Sequence, residues 1–165
     1  MRVGVKAREA QLRCALAIAL WYKGQLDSAE TEARLAVQEG PQSGPFHQYH
    51  GAILADMRRF EAALAEFRNA FELSGRDPQI RLSIAETLGH LGRFDEAVQE
   101  LRQIPPGHPD RARALRDAAA LLHTHPERRA ETLALLRESI QLDPNQPKAD
   151  LVRQQIAQLE AELGP

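Results

Sequence analysis

Three stretches of this chain superpose without a gap when it is slid along itself by 34 residues, a period that restricts a helical sequence to repeating architectures. Ala29 recurs as Ala63 and Ala97, each in an acidic and small context: Asp27-Ser28, Glu61-Ala62 and Asp95-Glu96. Three residues before each alanine stand Leu26, Phe60 and Phe94; four after it come Ala33, Phe67 and Leu101, and seven after it Ala36, Ala70 and Ile104. In the preceding segment Ala17, Gly51 and Ala85 form a second small column, followed three residues later by Leu20, Leu54 and Leu88. Small residues in register let two helix axes approach closely, and large apolar residues one turn away fill the groove beside the contact. A hairpin built this way cannot bury both of its faces alone, so neighbouring hairpins must stack on it.

Ala, Leu, Glu, Gln and Arg dominate the segments between prolines, while alternating Val, Ile and Thr runs are absent, so the local preference is helical throughout. Helices are expected over 7–22, 26–39, 45–56, 60–73, 78–90, 94–104, 109–123, 127–141 and 147–162, joined by short turns such as Lys23-Gly24-Gln25 and Leu91-Gly92-Arg93. No low-complexity segment or long linker interrupts them, so a single domain over 1–165 is expected. At 165 residues, 43% hydrophobic and 27% charged, such a chain buries an adequate core without a metal or disulfide staple, and its one cysteine, Cys14, forms no internal bridge. A net charge of −2 argues against a nucleic-acid or membrane-surface binder, which works by neutralising many phosphates. The longest low-charge run, Cys14 to Tyr22, is nine residues and too short to span a bilayer. The first residues lack the apolar stretch of a signal peptide, so a cytoplasmic location is expected.

These residues resemble the tetratricopeptide repeat family, whose pattern runs W-x2-L-G-x2-Y, then A-x3-F, then P. The first repeat, 10–43, shows Leu16-Ala17, Leu20, Ala29, Ala33 and Pro41. The second, 44–77, shows Gly51, Leu54, Ala63, Phe67 and Ala70, with His47 and His50 where the family favours Trp and Leu, and Gly75 in place of the proline. The third, 78–111, shows Ile84-Ala85, Leu88, Ala97 and Leu101, then departs at Ile104-Pro105-Pro106, which should end its second helix early. A degenerate fourth copy, 113–146, follows a one-residue insertion and carries Ala120, Thr132, Leu136, Ser139 and Leu142-Asp143-Pro144-Asn145. The fold class expected from these residues is all-α, a right-handed α-solenoid of antiparallel helix hairpins. Its C-terminal capping helix, 147–163, would have Ala149, Val152, Ile156, Leu159 and Leu163 along its apolar stripe. The resemblance implies a non-catalytic interaction scaffold that binds a peptide or protein segment in its concave groove.

The first helix is apolar on every side from Cys14 to Tyr22. Leu16, Ala17 and Leu20 should pack into their own repeat, leaving Cys14, Ile18 and Trp21 on another face. By analogy with the family that face lines the groove, which continues through Gln48, Ala52 and Ala55, then Leu82 and Glu86, then Leu121. A solvent-facing apolar cluster containing Trp has the composition of an interface hot spot. Either it meets another chain, which includes homo-oligomerisation through the first helix, or residues 1–9 fold back and cover it. Some family members grip a terminal carboxylate with Lys, Asn and Arg side chains, but the matching positions here, Cys14, Ile18, Tyr49, Gln79 and Ser83, hold no cation.

His47 and His50 stand one turn apart in core-facing columns with no carboxylate or cysteine at ligand spacing, so buried, hydrogen-bonded imidazoles are expected there and no metal. A small-molecule sensor or enzyme built on His47 and His50 is the remaining alternative. His123 and His125 would stand about 200° apart on a helix and cannot chelate together while it persists. A nucleophilic Cys14 would need an accessible, cationic setting, and a small core residue is the plainer expectation. No catalytic residue and no cofactor are expected.

Overall fold

The computed structural model describes residues 2–164, with side chains from Lys6 onward. Within them lie α1 (Arg2–Tyr22), α2 (Leu26–Glu39), α3 (Gly44–Asp56), α4 (Phe60–Leu73), α5 (Pro78–His90), α6 (Phe94–Arg102), α7 (Arg111–Leu122), α8 (Arg129–Leu142) and α9 (Ala149–Leu163). A short 3-10 turn, Pro126–Arg128, precedes α8, and no strand occurs among the described residues. The fold is an all-α helical repeat, as the periodicity requires. The start of α1 departs from expectation. Residues 2–9 do not turn back over the first helix but extend it, because Lys6-Ala7-Arg8-Glu9-Ala10 are helix formers and no proline interrupts them. Met1 lies outside the described residues.

The turns between helices follow the same period as the sequence. Gly24, Arg58 and Gly92 all take left-handed backbone, at φ 74°, 59° and 72°, one residue before Gln25, Arg59 and Arg93 lead into the next helix. Glycine occupies two of the three because a Cβ is penalised there, and Arg58 carries that penalty in the middle repeat.

The chain forms two compact units, Met1–Leu91 and Gly92–Pro165. In the first, α1 pairs with α2 and α3 with α4; α2 packs on α3, and α5 on α4. The small columns of the repeat become the helix contacts: Ala17, Ala29, Ala36, Ala63 and Ala70 are completely buried. Gly51 marks a close approach of α3 to α4, since a Cβ built there would lie 2.9 Å from the Phe67 ring. Each large residue of the pattern then fills the space left beside a small one.

In the second unit α6 packs on α7, α7 on α8 and α8 on α9. The helix α6 stops at Arg102, as Pro105-Pro106 demands, yet Ile104 stays buried. The Arg111 guanidinium donates to the carbonyls of Arg102 at 2.6 Å and Ile104 at 2.8 Å, satisfying acceptors that the shortened helix leaves open. On α9, Val152 and Leu159 are buried, whereas Leu163 of the expected stripe is 44% exposed. A buried bond from Gln146 Nε2 to Ser139 Oγ, 2.7 Å, ties the segment before α9 to α8.

Candidate functional site

In the N-terminal unit, α1, α3, α4 and α5 enclose a cavity of about 210 Å³ lined by Trp21, Ala52, Ala55, Asp56, Phe60, Phe67, Ser83, Glu86, Thr87 and His90. Four residues expected at the groove, Trp21, Ala52, Ala55 and Glu86, therefore meet at one place. The cavity exists because Ala52 and Ala55 project only methyl groups from the exposed side of α3, while Phe67 reaches in behind them from α4. Trp21 forms a wall. Its body packs against the buried cluster of Ala17, Ala29, Ala33 and Ile53, and its Nε1–H donates to Asp56 Oδ2 at 2.6 Å. Opposite, the Phe60 and His90 rings stack at 4.6 Å with planes 7° apart. Asp56, Glu86 and His90 are exposed.

The other expected site residues are dispersed. Ile18, Gln48 and Leu82 are half-buried on α1, α3 and α5 without lining this cavity, and Leu121 is half-buried on α7 of the second unit. Cys14 is 7% exposed, so it offers no contact surface; burial also pushes its thiol up, away from the thiolate a nucleophile needs. Leu16 is likewise displaced from the role expected of it. It is 47% exposed, and with Leu12 at 70% it forms an outward apolar stripe beside exposed Ala15 and Ala19. The reason is local geometry: Cys14 and Ala17, small enough for the helix contact, turn toward α2, and the larger leucines fall on the opposite side.

A second cavity, about 640 Å³, lies between the N-terminal half of α1 and the α2–α3 connection, bordered by Ala10, Gly40, Pro41 and Phe46. No sequence signal pointed to it, because its lining comes from a helix extension and a loop that the repeat pattern does not cover.

His47 and His50 are buried as expected, but a carboxylate does join them. Glu66 on α4 places Oε2 2.5 Å from His47 Nδ1 and Oε1 3.2 Å from His50 Nδ1. The second nitrogen of His47 lies 3.0 Å from the Pro41 carbonyl, so both of its ring nitrogens meet oxygen atoms of the protein. Glu30 on α2 approaches His50 Nε2 at 3.7 Å and Arg59 at 3.8 Å. Burial raises the Glu66 carboxyl, and contact with His50 and His47 overcomes that and holds it below the usual carboxylate range. Spacing along α3 could not reveal this pairing, since Glu66 arrives from the next helix. Neither histidine lines the two cavities above, and the ring nitrogens are turned to protein groups. Among the described residues no group of three His, Cys, Asp or Glu is placed to hold a metal.

Residues 54–122 match the family model for the tetratricopeptide repeat. Solved structures with the same fold include Pseudomonas aeruginosa pilF, 19% identical over 96% of this chain and 70% of that one, with a TM-score of 0.72. Another is YrrB, described as a tetratricopeptide repeat protein with an unusual peptide-binding site. It is 21% identical over 88% of this chain and 74% of its own, with a TM-score of 0.75. MamA from Desulfovibrio magneticus RS-1 is 14% identical over 94% and 85%, with a TM-score of 0.77. No curated protein matches the chain in sequence. No helix among the described residues is long and apolar enough to cross a membrane.

Proposed function

We propose that this chain, whose residues 54–122 match the tetratricopeptide repeat and whose fold is that of a scaffold for protein interaction, binds a peptide segment of a partner protein at the Trp21 cavity of its N-terminal unit. The observation that carries this reading is the convergence of Trp21, Ala52, Ala55 and Glu86 on one preformed hollow. A site already open costs little to order on binding. Its mixture of aromatic wall, small floor and polar rim matches the anatomy of a peptide anchor pocket. A peptide-binding relative of this fold, YrrB, lends further support. No catalytic role is assigned to any residue.

The test is occupancy of the hollow by a side chain of the protein itself. Ala52→Met should lower affinity for peptides selected from a displayed random library by about tenfold or more, with the circular dichroism spectrum unchanged. Undiminished binding would place the site elsewhere.

A second reading, self-association through α1, is favoured by the outward stripe of Leu12 and Leu16. If that stripe is the contact, wild-type protein sediments as an oligomer and Leu16→Lys returns it to the monomer mass, since a lysine there meets its own copy across the interface. Monomeric wild-type protein would remove this reading.

A further inference from the structure

We infer that the Trp21 cavity takes a basic side chain, lysine or arginine, from the bound peptide. This rests on the peptide-binding reading above and adds the chemistry of the residue it selects. The hollow combines two kinds of surface. Trp21, Phe60 and Phe67 supply aromatic walls, and Asp56 and Glu86 supply two carboxylates at the exposed rim. The only basic side chain among the lining residues is His90, and its ring lies flat against Phe60. Outside the lining, Arg58 sits over the Phe60 ring at 5.7 Å.

A lysine or arginine satisfies both surfaces at once. Its methylene stem lies along the aromatic wall while its charged head remains at the wet rim, the usual disposition of these side chains. The head gains from the carboxylates, whose attraction is stronger beside an apolar wall than in open water. An apolar guest would fill the walls but desolvate Asp56 and Glu86 without compensation, and an acidic guest would be repelled. Asp56 is also pre-positioned. It accepts from Trp21 Nε1 with one oxygen, which fixes the carboxylate and leaves its other oxygen available for the guest.

Trp21 is the chain's single tryptophan, so its fluorescence reports on this cavity directly. The full chain is used to select binders from a displayed library of random peptides. The synthetic winners are then titrated while Trp21 emission is followed. The winners are expected to share a Lys or Arg at one position. Changing that residue to norleucine should weaken binding about tenfold or more. Glu86→Lys, at an exposed helix position, should remove the preference for a basic residue and favour Glu or Asp at the same place. Asp56→Asn, which keeps an acceptor for Trp21, should weaken binding in the same direction. If winners perturb Trp21 and lose affinity in Ala52→Met, yet tolerate norleucine and Glu86→Lys, the cationic assignment is overturned while peptide binding at the cavity stands. If no selected peptide perturbs Trp21 or responds to Ala52→Met, both fail.

Discussion

Ala63→Trp is expected to destabilise the N-terminal unit by about 3 kcal/mol or more, while Ala65→Trp on the same helix changes stability by less than about 0.5 kcal/mol. Ala63 is completely buried at the α3–α4 contact, where Gly51 already brings the α3 backbone within van der Waals reach of the Phe67 ring. An indole at that point can be accommodated only by driving the two helices apart, which uncovers Ile53, Leu54 and Phe67 together. Ala65 lies exposed two positions on, on the other side of α4, and its replacement meets water. Thermal and urea denaturation of the pair decide the matter. Equal melting temperatures would contradict the assignment of Ala29, Ala63 and Ala97 as the packing column.

Glu66→Ala should cost about 2 to 3 kcal/mol, because it leaves two buried imidazoles facing a gap where their shared carboxylate had been. The exposed Glu72→Ala on the same helix is the control, with an effect within about 0.5 kcal/mol. The pH dependence has a definite sign. The folded-state pKa of Glu66 lies below its unfolded value, so its contribution is fully present above the ordinary carboxylate range. That contribution is lost as pH falls through the depressed folded value, where the native carboxylate finally takes up its proton. The stability gap between wild type and Glu66→Gln, followed by denaturation from neutral to acid pH, should therefore narrow at the acid end. A gap that widened toward acid would show that the two histidines do not hold Glu66 ionised.

The histidine cluster and the Trp21 cavity show where the sequence stops being readable. Helix positions, turns and packing columns repeat every 34 residues because each is a local or nearest-neighbour requirement: a small residue where two axes approach, a left-handed residue at Gly24, Arg58 and Gly92, prolines where donors are not needed. Those requirements act within one hairpin or between adjacent ones, so they are written along the chain at fixed intervals. The approach of Glu66 to His47 and His50 has no such interval. It follows from how far α4 rotates against α3 once Gly51 and Phe67 are in contact.

The same distinction separates Leu16 and Cys14. Both belong to an apolar run with no polar face to orient it, so the run specifies a helix that must be covered without specifying which side is covered. The closest packing went to the smaller Cys14 and Ala17, leaving Leu12 and Leu16 outward. The amino-acid sequence by itself determined that this protein is a helical repeat, where most of its helices begin and end to within a few residues, and that Trp21, Ala52, Ala55 and Glu86 belong to one set of corresponding positions. Only the tertiary structure decided that these four enclose a hollow with Asp56 and Phe60, since the width of a cavity depends on interhelical distance, which side-chain volumes at several contacts set jointly and no single position encodes.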